Sequence, residues 1–176
     1  MVIKPEPLYD AIKSLGVKKK NNTYKNPYAK PYVIYMSPQG KIFNDSIVKN
    51  LAKFKHLVII CGHYEGVDER IMNYVDEEIS IGDYILTGGE IPAMALVDSV
   101  ARMLPGVIKE KTSVKNDSFY NGLLDYPHYT RPAVFKGYKI PEVLLSGDHK
   151  KISEWRVEEA YKRTKERRPD LLKKVE

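Results

Sequence analysis

The fold class is decided by residues 32–61, YVIYMSPQGKIFNDSIVKNLAKFKHLVIIC. Two apolar runs within this stretch, Tyr32–Met36 and His56–Cys61, have the length and composition of buried β-strands. Between them, Asn44 can cap a helix over about residues 45–54. A strand, a helix and a strand joined by short loops predict a parallel α/β sheet.

The residues on either side of these runs predict further short elements. The polar SPQG segment (residues 37–40) is expected to stop the first strand, and residues 77–81 and 84–87 are short strand candidates. Residues 90–104 predict a helix that is apolar over most of its surface, which is typical of a helix buried on several sides. Residues 5–15 predict a short amphipathic helix.

The distribution of apolar residues divides the chain into two predicted domains and a linker. Residues 1–108 carry the α/β pattern, and residues 109–118, KEKTSVKNDS, have the low apolar content of a flexible linker. Residues 119–176 form the remaining domain, in which Asp148 is predicted to cap a charged helix that runs to about Arg168.

The composition limits the class of protein. The chain of 176 residues has one cysteine, Cys61, so no disulfide can form within it and a reducing compartment is expected. The sequence has no apolar run of membrane-spanning length and no apolar signal-peptide core. A cytoplasmic protein is therefore the expectation.

The net charge of +6 is unevenly distributed along the chain. Residues 1–31 carry seven Lys or Arg and two Asp or Glu, and residues 149–176 carry ten and six. Residues 32–148 carry twelve and fifteen, so a mildly acidic middle lies between two basic ends. Basic ends attract polyanions such as RNA, although a solvated surface is the commoner meaning of Lys-rich termini.

Three polar loops that contain glycine follow the predicted strands: SPQG (37–40), CGHYEGVDER (61–70) and SIGDYILTGGE (80–90). Ligands bind at the carboxyl ends of strands in open α/β sheets, and glycine lets backbone amides approach them, so the loops suit an adenine and a ribose. Three tight turns are the alternative. The sequence has neither GxGxxG nor GxxxxGK[ST], which disfavours a nucleotide phosphate site. Cys61 and His63 lack a second Cys/His pair, so a zinc site is not expected.

Other polar residues are candidates for chemistry, and each has a structural alternative. Arg102 ends an apolar helix beside the linker, where it could meet a ligand or pair with Asp98 one turn earlier. Asp117 lies in the linker and would by itself be a helix or turn cap. The PHYTRP motif (residues 127–132) combines aromatic and cationic side chains that suit RNA, or forms a rigid packed turn.

Six motifs resemble those of one known family. In chain order they are YMSPQG, CGHYEGVDER, SIGDYILTGGE, DSVARMLPGV, NDSFYNGLLDYPHYTRP and LLSGDHKKISEWR. They are similar to the bacterial tRNA (guanine-N(1))-methyltransferases, the TrmD family, over nearly the whole chain. The resemblance implies a SPOUT-type parallel α/β sheet with a C-terminal trefoil knot and a small helical C-terminal segment. It also implies a homodimer whose active sites are shared between subunits.

The function that the resemblance implies is methylation of ring nitrogen 1 of the guanosine immediately 3′ of the anticodon, position 37 of tRNA. S-adenosyl-L-methionine is the implied methyl donor, magnesium is a further candidate cofactor, and the tRNA anticodon stem-loop is the implied partner. Relative to the family, an N-terminal segment and part of the C-terminal domain are expected to be missing. Two alternatives follow: a truncated S-adenosylmethionine-binding module without methyl transfer, and a basic RNA-binding protein that is not an enzyme.

The resemblance also assigns roles to individual residues. The implied catalytic residues are Asp117, as general base, and Arg102 beside it. The implied substrate contacts are Glu65, His128, Tyr129 and Arg131. The implied cofactor pocket comprises Tyr35, Met36, Ser37, Pro38, Gly62, Tyr64, Gly66, Ile81, Gly82, Asp83, Tyr84, Ile85, Leu86, Gly88, Gly89 and Pro92.

Overall fold

The computed structural model describes residues 1–19, 26–108 and 117–174. The chain divides into two compact units, Met1–Lys109 and Glu110–Glu176. Residues 109–116 of the predicted linker lie outside the described residues. Each unit is described by itself below.

A three-stranded parallel sheet forms the centre of the first unit. Its strands are β1 (Tyr32–Ile42), β2 (Leu57–Cys61) and β3 (Glu77–Ser80), in the order β2-β1-β3. Tyr32 lies opposite Leu57 and Met36 opposite Cys61, so the two apolar runs pair along their whole length. The parallel α/β sheet predicted from the sequence is confirmed.

The prediction that SPQG stops the first strand is wrong. β1 continues to Ile42, and its pairing with β3 shifts register between Met36 and Lys41. The irregularity is accommodated at Gly40, where an added Cβ would overlap the backbone of Glu78 and Ile79. The missing side chain lets β1 bulge against its neighbour, so the strand continues beyond the proline.

The strand predicted over residues 84–87 is also wrong. This segment belongs to an irregular loop between β3 and the next helix. The loop turns at Gly82, which has a φ of +150°, and returns to the end of β2. There the Gly89 amide donates a hydrogen bond of 2.9 Å to the Gly62 carbonyl. The backbone polar groups of this segment therefore make loop contacts instead of a strand ladder.

Among the described residues of the first unit, three segments are α-helical: α1 (Pro5–Ser14), α2 (Asp45–Leu51) and α3 (Glu90–Arg102). Short 3₁₀ helices cover Pro27–Ala29 and Glu69–Tyr74. The predicted cap of α2 is confirmed, because the side-chain oxygen of Asn44 accepts hydrogen bonds from the amides of Ser46 and Ile47.

Apolar side chains cover the sheet on both faces. One cluster joins α2 and α3 to the sheet and contains Ile34, Met36, Val48, Leu51, Ile79, Ala93, Leu96 and Val100. The other joins α1 and the second 3₁₀ helix to the sheet and contains Ile12, Val17, Val33, Val58, Ile60, Ile71 and Val75. Helices on both faces are typical of parallel sheets, whose strands need apolar cover on each side.

The prediction that α3 is buried on several sides is wrong for the single chain. Ala93, Leu96 and Val100 are buried against the sheet. On the same helix, Ile91, Met94 and Val97 are 59%, 71% and 52% exposed. α3 therefore has one apolar face in the core and a second in solvent.

The second unit is a β-hairpin followed by helices. The hairpin strands are β4 (Val134–Phe135) and β5 (Tyr138–Lys139), and the helices are α4 (Glu142–Leu145) and α5 (His149–Arg167), with a final 3₁₀ helix over Pro169–Lys174. The predicted cap of α5 is confirmed, since the Asp148 carboxylate accepts from the amides of Lys150 and Lys151.

One buried hydroxyl ties the start of the second unit to α5. The Thr164 hydroxyl donates to the Ala160 carbonyl at 2.7 Å and accepts from the Leu124 amide at 2.8 Å. Both of its hydrogen-bonding roles are used, as a buried hydroxyl requires.

Among the residues that the structure describes, no helix is both long enough and apolar enough to cross a membrane.

Gly40→Ala tests the bulge in β1. We expect the substitution to lower the free energy of unfolding by about 1–3 kcal/mol, because the new methyl group would overlap strand backbone that cannot move alone. Urea unfolding followed by circular dichroism measures the change. Gln39→Ala, at the exposed neighbouring position, is the control and should change stability by less than about 0.5 kcal/mol. Equal effects of the two substitutions would show that Gly40 is not the point of close approach.

Candidate functional site

A pocket of about 650 Å³ lies at the carboxyl ends of the three strands. This edge of a parallel sheet is where ligands are expected, and the volume falls within the range of small-molecule sites. All three glycine-containing loops contribute to it. The residues that line it are Tyr35, Met36, Ser37, Pro38, Gln39, Gly62, His63, Tyr64, Glu65, Gly66, Val67, Glu69, Met72, Glu78, Ile79, Ser80, Ile81, Gly82, Tyr84, Ile85, Leu86, Thr87, Gly88, Gly89 and Pro92.

The structure brings together nearly all the residues that the resemblance assigns to the cofactor. Every one of them except Asp83 is among the lining residues, and the proposed guanine contact Glu65 lies there too. Asp83 is exposed and is not part of the lining, so its assignment stays a prediction.

Several lining residues were not predicted from the sequence. His63 and Glu69 lie in a loop that was singled out, whereas Met72 comes from a 3₁₀ helix and Glu78 from within β3. Glu78 reaches the pocket because it lies opposite Tyr35 in the parallel register. That pairing is a tertiary feature, and no local pattern around Glu78 signals it.

Glycines let neighbouring segments approach one another closely around the pocket. A Cβ at Gly62 would lie 2.8 Å from the Tyr35 hydroxyl, and one at Gly66, where φ is +120°, would lie 3.4 Å from it. A Cβ at Gly89 would lie 2.7 Å from Cα of Cys61. Side chains at these three positions would fill the pocket or push its loops apart.

The loop after β2 is also held by the first residues of the chain. The Ile3 amide donates to the Gly66 carbonyl at 2.9 Å, and the Asp68 amide donates to the Ile3 carbonyl at 3.0 Å. The Glu65 amide donates to the Met1 carbonyl at 3.0 Å. These hydrogen bonds hold the backbone of residues 65–68, and Glu65 and Gly66 of this segment line the pocket.

The pKa values of two titratable groups, Tyr35 within β1 and Cys61 at the end of β2, are shifted by their surroundings. Burial is the main reason that the pKa of Tyr35 is raised, and the nearby Glu78 carboxylate raises it further. The Tyr35 phenol therefore stays protonated and able to donate a hydrogen bond at neutral pH. Burial also raises the pKa of the Cys61 thiol, with a further contribution from the Glu90 carboxylate.

The two residues assigned to catalysis belong to different units. Arg102 is the last residue of α3 and is exposed. Asp117 is the first described residue of the predicted linker, and its carbonyl accepts from the Tyr120 amide at 3.3 Å. Their catalytic roles stay predictions.

The PHYTRP motif has exposed side chains, and one of them, His128, also contacts neighbouring residues. His128 Nε2 lies 2.8 Å from a carboxylate oxygen of Asp125, and its ring packs against Tyr126 at a centroid distance of 4.7 Å. The guanidinium of Arg156 lies 4.9 Å from the Tyr126 ring centroid. His128, Tyr129 and Arg131 are all exposed. The arrangement combines rings and cations, which RNA-binding surfaces use.

Within residues 1–19, 26–108 and 117–174, no three His, Cys, Asp or Glu side chains form a group that could hold a metal ion.

Comparison with known proteins gives consistent matches over the whole chain. The family model of tRNA (Guanine-1)-methyltransferase TrmD matches residues 1–174. A tRNA (guanine-N(1)-)-methyltransferase from Endomicrobium trichonymphae is 89% identical over 174 residues, which cover 99% of this chain and 75% of the relative. Proteins of the same name from Fusobacterium nucleatum and Fervidobacterium nodosum are 58% and 55% identical. The matches cover 100% and 99% of this chain and 68% and 67% of those relatives.

The reactivity of Cys61 tests the electrostatics at the end of β2. Because the pKa of the thiol is raised, a smaller fraction is thiolate at pH 8, and we expect Cys61 to react more slowly with Ellman's reagent than glutathione does. Glu90→Gln removes a negative charge and should raise the rate about two- to tenfold. Glu154→Gln, on the exposed surface of α5, is the control and should leave the rate unchanged. A Glu90→Gln rate at or below that of the unmodified sequence would contradict the assignment.

Proposed function

Because the chain belongs to the TrmD family of tRNA (guanine-1)-methyltransferases, we propose that it methylates ring nitrogen 1 of guanosine 37 in tRNA, immediately 3′ of the anticodon. The observation that carries the proposal is the pocket at the carboxyl ends of the sheet, lined by the three loops that carry the family motifs. Methyl transfer from S-adenosyl-L-methionine is the reaction that this pocket serves. The match of the family over residues 1–174 supports the same conclusion.

The pocket is suited to S-adenosylmethionine in its walls and its size. Backbone brought close by Gly62, Gly66 and Gly89 can contact an adenine and a ribose, and Cβ atoms there would occupy the space. When bound, the cofactor supplies a methyl group on a positively charged sulfur, which is left as a neutral thioether after transfer. Tyr35 lines the pocket, and its phenol lies against the loop at Gly62 and Gly66. We propose that the other residues that the resemblance assigns to the cofactor pocket, including Asp83, also contact S-adenosylmethionine.

Asp117 and Arg102 are proposed to activate the guanine. Nitrogen 1 carries a proton, which Asp117 removes as the nitrogen forms its bond to the methyl carbon. An ordinary Asp has a pKa of about 3.9 and is a weak base near neutrality, so the reaction needs a second group. The Arg102 guanidinium supplies it by stabilising negative charge on guanine oxygen 6. Glu65 contacts the target base.

The second unit is proposed to bind the tRNA. Residues 149–176 are basic, and His128, Tyr129 and Arg131 present rings and cations at the surface. We propose that residues 1–108 form the cofactor domain, that residues 109–118 form the linker that delivers Asp117, and that residues 119–176 grip the anticodon stem-loop.

The exposed face of α3 supports a homodimer with active sites shared between subunits. Ile91, Met94 and Val97 form an apolar strip beside Pro92, which lines the pocket. Ile85, another lining residue, is 79% exposed. Contiguous exposed apolar surface marks an interaction site, and a second copy is the proposed occupant because a twofold interface pairs this strip with itself.

A trefoil knot is the proposed topology of the first unit. It is supported by the path of the chain after β3, which returns to the end of β2 before α3 begins. Gly89 hydrogen bonds to Gly62 at this crossing, and Gly88 pairs with His63. Knots are rare, so the family membership is the main support.

The central experiment measures transfer of labelled methyl to tRNA transcripts with guanosine or adenosine at position 37. We expect methylation of the guanosine transcript alone, and Asp117→Asn should slow single-turnover transfer about 10²–10⁴-fold without weakening cofactor binding in calorimetry. Asp170→Asn makes the same chemical change at the exposed Arg168–Asp170 pair and should have no effect. A parallel reaction with a chelator tests the magnesium requirement.

Two outcomes would contradict these assignments. Full transfer by Asp117→Asn would show that another group is the base. Cofactor binding without transfer to either transcript would favour a binding module over an enzyme.

Met94→Glu tests the proposed dimer. We expect the unmodified chain to sediment as a dimer at micromolar concentration and Met94→Glu to sediment as a monomer, because a carboxylate would be buried without a partner in the interface. Val157→Glu, at a position 64% exposed on α5, is the matched control and should remain dimeric. A dimeric Met94→Glu protein would show that this face of α3 is not the interface.

A further inference from the structure

The pocket has a charge opposite to that of the chain as a whole. The chain carries a net charge of +6, yet the residues that line the pocket include three glutamates and, among those the structure describes, neither lysine nor arginine. The three are Glu65, Glu69 and Glu78. Glu65 already has a proposed role toward the guanine, whereas Glu69 and Glu78 have none.

Glu69 and Glu78 come from different elements but act on the same part of the pocket. Glu78 lies in β3 opposite Tyr35, and Glu69 begins the 3₁₀ helix after the second loop. Both carboxylates raise the pKa of the Tyr35 phenol, although less than burial does. The field of both glutamates therefore reaches the part of the pocket that Tyr35 lines.

Two cations that neighbour these glutamates in the chain or in the sheet, Arg70 and Lys41, are paired with other carboxylates. Arg70, which follows Glu69, binds the Asp68 carboxylate through two nitrogens at 2.8 and 2.9 Å. Lys41, which is close to β3, binds Glu77 at 3.0 Å. Neither cation lines the pocket. His63 also lines the pocket.

We propose that Glu69 and Glu78 make the pocket selective for the positively charged methyl donor over its neutral product. The inference rests on the proposed function. Donor and product share the adenosine, the amino group and the carboxylate, and they differ in the methyl group and in the charge on sulfur. A negative field acts equally on the amino group and carboxylate that the two ligands share, so the charge on sulfur is what gives the field a preference for the donor.

The selectivity has a direct consequence for turnover. The attraction between the carboxylates and the ligand exists before the methyl group leaves, and it disappears when the sulfur becomes neutral. Glu69 and Glu78 thus hold the donor and release the product. They are specificity-determining residues and take no part in bond formation.

Isothermal titration calorimetry with S-adenosylmethionine and S-adenosylhomocysteine tests the proposal on the full chain. We expect Glu69→Gln and Glu78→Gln each to weaken donor binding about three- to tenfold and to leave product binding unchanged. Glu69→Asp and Glu78→Asp keep the charge and should keep most of the preference. Glu158→Gln, on the exposed surface of α5, is the control for a change in net charge. Circular dichroism establishes that each variant is folded.

The possible results separate this inference from the proposed function. If the unmodified chain bound neither ligand, the proposed function would fail and this inference with it. If it bound both ligands and the glutamine variants left the donor-to-product ratio unchanged, only the role of the two glutamates would be overturned. Equal weakening of both ligands would likewise overturn it, since that result indicates a structural contribution.

Discussion

The hydrogen bond from the Gly89 amide to the Gly62 carbonyl, 2.9 Å long, joins the loop after β3 to the end of β2. The contact is possible because Gly89 has no side chain, since a Cβ at Gly89 would lie 2.8 Å from the Gly62 nitrogen. It sets where α3 begins, since Glu90 is the first residue of that helix. The pocket wall and the helix that covers the sheet thus depend on one backbone contact between two glycines.

α3 connects the Gly62–Gly89 contact at the pocket to the hydrophobic core. Pro92 lines the pocket, and Leu96, one turn later, is fully buried against the sheet. Because a rigid helix connects the two, a shift at the Gly62–Gly89 contact would disturb core packing as well as the pocket. Met94 lies on the exposed face of α3, so a partner that bound there would contact the same helix.

The sequence predicts elements whose signals are local and misses those that depend on a distant neighbour. Apolar runs and the Asn44 cap are local, and the structure confirms β2 and α2. The continuation of β1 through Gly40 depends on backbone from β3, which the residues around Gly40 do not reveal. Glu78 likewise reaches the pocket only through the register of parallel strands. The family motifs identify the loops of the pocket, but a carboxylate contributed by a strand lies outside them.

The proposed function requires one chain to attract both a polyanionic RNA and a cationic methyl donor. Both are possible because the charges that attract them act at different places and over short distances. A polyanionic RNA is attracted by basic residues at the protein surface, whereas a cationic donor responds to carboxylates inside the pocket. Salt screens charges that are more than about 8 Å apart in water but acts weakly inside a pocket. The carboxylates of Glu69 and Glu78 can therefore dominate inside the pocket while the net charge of +6 dominates outside it. Neutralising these carboxylates would change the balance between donor and product and leave the long-range attraction for RNA intact.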